Sequence, residues 1–508
     1  MENIYAQRIH ALRNMMADNG WDAVVIGGSD PHSSEYPAPR WKQVEWLTGF
    51  TGEAGDVVVT ADHAGLWTDS RYFIQAIEQL QGTGVELHKT RVPGAVSIED
   101  WLFEHASVVA VDGLCQSVGG VKAIAAALGE EGIVISVPDI LSRLWEDRPS
   151  VPVTPVTTLD VQCFGGIPRM DKIRWMRKWM LMNGYDRVFL SSLDEIAWML
   201  NVRGSDIDYN PLVISYLLIS HDSVKWFVKK SPIAEDPETP ESFMELEQEG
   251  IEVMYYDEVY SGLSDFGEDA QGGVIFIDPS TLNDNVYRDI CEIFGEANVI
   301  EGVSPVILEK SVKTESEIEN LRQTFIDDGV AMECFLHWLD EEVSTGREVS
   351  EWEASEKLTE FRSQVPGYRG NSFENISAYG AHAALPHYST PREGSAVIEP
   401  RGLYLVDSGG QYLTGTTDIT RTIPMGECTE LEMEDYTLVL KGMIDLSMAV
   451  FPRGTTGHQL DAFARMPLWR AQRNFGHGTG HGIGYYLCVH EGPQSIRWQP
   501  NPQPLLPG

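Results

Sequence analysis

Two aspartates, Asp407 and Asp418, stand in "LYLVDSGGQYLTGTTDITRT" on either side of a glycine-rich interval. The β-branched and apolar residues around each read as two strands, and opposite residues of an antiparallel hairpin share one side of the sheet. Two buried carboxylates brought together repel unless a positive charge lies between them. A bound cation resolves this; for the hairpin alone, a pair of turn aspartates facing water is the other reading. Alternation sets Thr416, Asp418, Thr420 and Thr422 on one face, where hydroxyls can hydrogen-bond metal-holding carboxylates. His387 precedes the hairpin in "ALPHYSTP", and His477, His481 and His490 follow it. Carboxylates with imidazoles and no thiolate suit manganese, zinc, cobalt or iron, with manganese slightly favoured. In "HGTGHGIG", residues 477–484, four glycines ask for a backbone path that side chains would block, past a ligand or metal or through a plain turn.

The elements around these residues predict an α/β protein in three segments. Strand runs such as "DAVVIGG" (22–28), "SVVAVDG" (107–113) and "GIVISVP" (132–138) alternate with helix-length patterns. The proline-rich "DRPSVPVTPVTTLD" (147–160) reads as an extended linker. A second segment repeats the first: "NGYDRVFL" (183–190) matches "NGWDAVVI" (19–26), each behind an amphipathic helix, which suggests two tandem copies of one unit. The third opens on a helix through 313–343, with Thr314 and Glu317 as a capping box. Its residues Ile318, Leu321, Phe325, Met332, Phe335 and Leu339 are expected in the core. Domains are expected over 1–155, 156–310 and 311–508.

Composition narrows the function. The chain has 508 residues, 43% hydrophobic and 22% charged, as globular proteins do. Its 76 acidic against 37 basic side chains give a net charge of -39, which repels phosphate backbones and anionic membrane surfaces. Neither nucleic acid nor membrane is therefore an expected partner. Cys115, Cys163, Cys291, Cys334, Cys428 and Cys488 lie far apart without a CxxC pair, and are expected as buried thiols of a reducing compartment. The first residues lack the apolar run of a signal peptide, and "PLVISYLLIS" (211–220) is too short to span a bilayer, so the expected location is cytoplasmic. HExxH, GxSxG and P-loop motifs are absent from the sequence.

Taken together, "ALPHYSTP", "YLVDSGGQYLTGTTDITRT" and "FGHGTGHGIGYYLCVHEGP" resemble the signature of the Xaa-Pro aminopeptidases of the creatinase-like, pita-bread metallopeptidase family. "LSSLDEIAWMLNVRGSDIDYNPL" (190–212) and "TGFTGEAGDVVVTADHAGLWTDSRYF" (48–73) resemble its long, three-domain cytosolic branch, so the likeness spans nearly the whole chain. The resemblance implies two creatinase-N-like α/β domains ahead of a pita-bread catalytic domain. It implies that Asp407 and Asp418 are metal ligands, with Asp418 shared by two divalent ions, and that His481 is the imidazole ligand of one. His387 and His490 match active-site histidines, and His477 a residue on the substrate side. Manganese is the expected metal, zinc or cobalt the alternatives; the substrates are peptides with proline in second position, and the assembly is a homodimer.

Such a peptidase hydrolyses a tertiary amide with no N–H through a metal-activated water, and an imidazole delivers a proton to the leaving nitrogen. Two other readings are a prolidase acting on Xaa-Pro dipeptides and a non-catalytic pita-bread protein that binds peptides. The family adds two glutamates on its last strands, and "NPQPLLPG" resembles the family just before the first of them. A catalytic domain incomplete at its C-terminus, with most activity lost, is the resulting expectation. Glu491, next to His490, points to the other side of an extended segment and is not expected to substitute.

Overall fold

A computed structural model describes residues 3–229, 238–266 and 273–508. The chain divides into two compact units, one built from 1–159, 168–208 and 212–306, the other from 160–167, 209–211 and 307–508.

The first unit holds two six-stranded sheets. In the first sheet β1 (Ala23–Ile26), β2 (Asp56–Thr60), β3 (Ala64–Thr68), β4 (Glu86–Lys89), β5 (Val108–Asp112) and β6 (Ile133–Val137) stand in the order β4-β3-β2-β1-β5-β6. The central strands are apolar runs buried on both faces, as a helix-covered sheet requires. The second sheet orders Glu252–Tyr255, Val224–Val228, Ser215–Ser220, Arg187–Leu190, Ile275–Ile277 and Val299–Glu301 in the same way, with the same parallel and antiparallel pairings. Both copies begin with a helix, Ile4–Asn19 and Arg169–Asn183, closed by a left-handed glycine, Gly20 (φ 70°) and Gly184 (φ 74°). That NG step, which needs a residue free to adopt positive φ, is the part of the repeat that the sequence displays.

The second unit packs two helices, Glu315–Ser344 and Glu351–Ser363, on a small sheet of the strands Ile376–Tyr379, Leu403–Ser408 and Ile419–Pro424. Thr314 and Glu317 form the expected capping box. Met332, Phe335 and Leu339 lie in the core with Tyr404 and Val406 of the central strand, each fully buried apolar side chain contributing about 1.5–3 kcal/mol. Phe325 does not: it is 39% exposed, and Ile318 and Leu321 are half-buried. Near its N-terminus the helix turns a polar edge inward. Thr324 bonds Thr414, and Asp328 is buried against Arg362 and the Tyr412 hydroxyl, so hydrogen bonding rather than hydrophobicity chooses the face there.

Two expectations are corrected. The interval between the two aspartates is more than a turn, since Gly410–Tyr412 is the middle strand of a separate three-stranded sheet, between Tyr368–Asn371 and Gly415–Thr416. None of the six cysteines is in a disulfide, and only Cys115 is buried; Cys163 and Cys334 are exposed, and Cys291, Cys428 and Cys488 are half-buried. No helix among the described residues is long and apolar enough to cross a membrane.

Candidate active site

The burial of Leu403–Ser408 alternates residue by residue. Tyr404, Val406 and Ser408 face the helices, so Leu403, Leu405 and Asp407 face the other way. Asp407 pairs across the sheet with Thr420, whose hydroxyl donates to Asp407 Oδ1 at 2.6 Å. Asp418 sits one residue ahead of the third strand. Burial first, and the charge of Asp418 second, push the Asp407 carboxyl up to about 6, while Thr420, His387 and His490 pull it down. The two carboxylates therefore feel each other inside a partly desolvated pocket, the situation that a cation relieves.

His481 Nε2 lies 3.2 Å from Asp418 Oδ2, and its ring meets His490 edge-on with centroids 4.4 Å apart. Asp407, Asp418, His481 and His490 thus come together, with His387 near enough to act on Asp407. Oxygen and imidazole donors with no thiolate fit divalent metal ions. His477 is exposed on the loop that leads into this cluster; its ring packs on Phe475 at 4.9 Å, and Arg465 donates to its carbonyl at 2.7 Å.

The glycines of "HGTGHGIG" divide into two kinds. Gly480–Gly482 pairs with Glu491–Ile496, with a bulge between His481 and Gly482. A Cβ on Gly482 would stand 2.5 Å from the Glu491 carbonyl, and one on Gly484 2.6 Å from that of Cys488. Gly478 and Gly480 have ordinary room, with nearest atoms at 3.7 and 3.8 Å. The glycine requirement is thus a close strand crossing, and the bulge turns His481 toward Asp418.

Several residues that sequence reasoning missed hold the loops of the site. Glu351, fully buried, accepts from Tyr379 N, bonds His382 Nδ1 at 2.8 Å and accepts from the Tyr388 hydroxyl at 3.0 Å, pinning the segment that carries His387. Asp461 pairs with Arg465 and accepts from Thr479, while Arg465 lies over Phe475 at 3.8 Å, latching the loop of His477. Glu491 is buried between Lys310, at 2.6 Å, and Lys313, so it faces away from the metal pocket as expected. Of the threonines expected to support the ligands, Thr420 does so; Thr416 bonds Gln411 and the Leu487 carbonyl, because its short strand belongs to the other sheet. Asp461 and Arg465, four apart on a helix, were the legible signal among these.

Comparison with known proteins adds to this geometry. Residues 319–508 match the metallopeptidase family M24, and residues 8–144 and 147–317 each match a creatinase/prolidase N-terminal domain. Aminopeptidase P2 of Arabidopsis thaliana is 34% identical, over 97% of this chain and 73% of its own length. Xaa-Pro aminopeptidase 1 of Dictyostelium discoideum is 36% identical, over 99% of this chain and 80% of its own. The crystal structure of X-prolyl aminopeptidase from Caenorhabditis elegans, described as a cytosolic enzyme with a di-nuclear active site, superimposes with a TM-score of 0.92 at 33% identity, covering 99% of this chain and 83% of that one. The Xaa-Pro dipeptidase of Bacillus anthracis, 27% identical, covers 66% of this chain and 86% of its own, with a TM-score of 0.50.

Proposed function

The chain belongs to metallopeptidase family M24, with creatinase/prolidase N-terminal domains ahead of the peptidase region, and from that premise we propose that it is an Xaa-Pro aminopeptidase, releasing the first residue of peptides with proline second. The observation that carries the reading is the pair Asp407 and Asp418, coupled in a desolvated pocket with His481 on Asp418. The prolidase alternative is less favoured: the dipeptidase is 27% identical over 66% of this chain, whereas aminopeptidases that are 33, 34 and 36% identical match 97 to 99% of it.

Asp407, Asp418 and His481 would hold the divalent ions in this reading, with manganese the proposed metal ahead of zinc or cobalt. When bound, the ions supply Lewis acidity to a water nucleophile and to the scissile carbonyl. Thr420 fixes the Asp407 carboxylate by donating to Oδ1. His387 and His490 offer imidazole N–H groups toward the oxygen that gains charge, and one of them passes a proton to the departing proline nitrogen. That nitrogen belongs to a tertiary amide and has no proton of its own to keep. His477 lies on the substrate side, and its loop is set by Arg465.

The same reading divides the chain at 1–155, 156–310 and 311–508, supported by the three matched stretches. It assigns the protein to the cytoplasm and to a homodimer. Phe325, Ile326 and Val330, 39, 60 and 59% exposed on the Glu315–Ser344 helix, support association through an apolar strip. The test is metal content and release of the first residue from an Xaa-Pro-Xaa tripeptide, beside Xaa-Ala-Xaa and the Xaa-Pro dipeptide, with manganese added. Manganese-dependent cleavage of the proline tripeptide, slow because only three side-chain ligands are assigned, is expected; equal cleavage of the alanine peptide, or of the dipeptide alone, defeats the assignment.

A further inference from the structure

The first unit carries a separate cluster of histidines and a carboxylate. His63 leads into β3, and Glu86 and His88 lie on β4, where Gly65 stands opposite Glu86 and Trp67 opposite His88. Alternation along the two strands turns 63, 65, 67, 86 and 88 to one face. One ligand atom from each of His63, Glu86 and His88 lies within 4.8 Å of the other two, the single such trio among the described residues. The two imidazole Nε2 atoms are 3.1 Å apart. Nitrogens bound at about 2.0–2.1 Å to one tetrahedral ion stand about 3.3 Å apart, so the rings are already near ligand spacing.

Three features keep them there. A Cβ on residue 65 would lie 2.8 Å from His63 Nε2 and 2.7 Å from His88 Cδ2, so glycine leaves the space in which the rings meet. The His88 ring stacks on Trp67 at 3.8 Å and 12°, and the His63 ring tilts against Trp101 at 5.0 Å. Glu86 is exposed, so water can complete the coordination.

We propose that His63, Glu86 and His88 bind one divalent transition-metal ion of the zinc class, at a site separate from Asp407 and Asp418. Two imidazoles and one carboxylate rank zinc and copper above manganese, and the ion would tie edge strand β4 to β3. The second copy of the sheet gives an internal contrast. Its pair Val224–Val228 and Glu252–Tyr255 has the same register, with Lys225 opposite Glu252 where the first has Gly65 opposite Glu86. Ser223, Lys225 and Met254 take the places of His63, Gly65 and His88, and the Lys225 ammonium donates to Asp265 at 2.8 Å and to the Gly262 carbonyl. The donor set is thus confined to one copy.

The test strips the full chain of metal, titrates it with zinc alone, and counts bound zinc per chain by equilibrium dialysis. Wild type is expected to bind one zinc more than the His63→Gln, His88→Gln double variant, and Glu86→Gln to hold that zinc several-fold more weakly. Equal zinc counts overturn the proposal and leave a hydrogen-bonded imidazole pair sharing a proton. A second measurement does not depend on the double variant folding. In Asp418→Asn protein, one equivalent of copper(II) at this site quenches Trp67 and Trp101, and an unchanged tryptophan emission overturns the proposal equally.

Discussion

The two histidine and carboxylate clusters differ in what they ask of an ion. At Asp407 and Asp418 the charge is negative and partly buried, and a cation is needed to offset carboxylate repulsion. At His63 and His88 two rings approach with one exposed carboxylate, and burial first, then the neighbouring His63, lowers the proton affinity of His88. Hard, carboxylate-dominated donors suit manganese, whereas imidazole-dominated donors suit zinc and copper. The comparison teaches that ligand count alone does not sort metals: burial, charge and donor type within one chain set two different preferences.

The strongest way to break that contrast is to remove a shared ligand. Asp418→Asn is expected to lower kcat/KM for an Xaa-Pro-Xaa peptide by about 10² to 10³ fold, the scale of losing one preorganised electrostatic contact, while the zinc count at His63 and His88 holds. Loss of both together, measured by steady-state kinetics and dialysis, would merge the two clusters into one system. Next is Glu491→Gln. It leaves Lys310 and Lys313 facing a neutral amide in a buried position, and is expected to cost about 3 kcal/mol of unfolding free energy in urea.

Acidity sharpens the contrast at a smaller scale. In the folded, metal-free protein the Asp407 carboxyl is raised to about 6 from 3.8. Between those values the folded state holds a proton that the unfolded chain has released, so this group's contribution to stability falls as pH rises through that window. Metal binding displaces that proton. The manganese-induced rise in Tm is therefore expected to be larger at pH 7 than at pH 5, and equal shifts at both would remove Asp407 from the ligand set. The smallest expected effect is on turnover in the His63→Gln, His88→Gln variant, which should stay within about twofold of wild type, since substitutions that share no partners add independently.

What the sequence made legible follows from where the signal is local. The repeat announced itself at the NG steps, because ending a helix and entering a strand needs a left-handed residue whatever surrounds it. The remaining strands of the two copies share topology but little residue pattern, so their correspondence lay in pairing alone. Asp407, Asp418 and His481 were legible because chemistry restricts their types. Glu351 and Glu491 were not: their partners lie far along the chain, His382 and Tyr388 for one, Lys310 and Lys313 for the other. Phe325 failed for the opposite reason, since a helical stripe predicts burial only where an apolar surface arrives to meet it, and at Asp328 the partner brought Arg362.

Lys225 gives the doubled sheet a further meaning. Where the first copy leaves a glycine-sized gap between two imidazoles, the second carries a positive charge on its own side chain, anchored at Asp265. One copy has its cation built into the polypeptide at synthesis; the other must draw one from its surroundings. The two halves of a duplicated architecture would then differ in a property that neither shape nor topology reveals: only the first would register how much free zinc its surroundings contain.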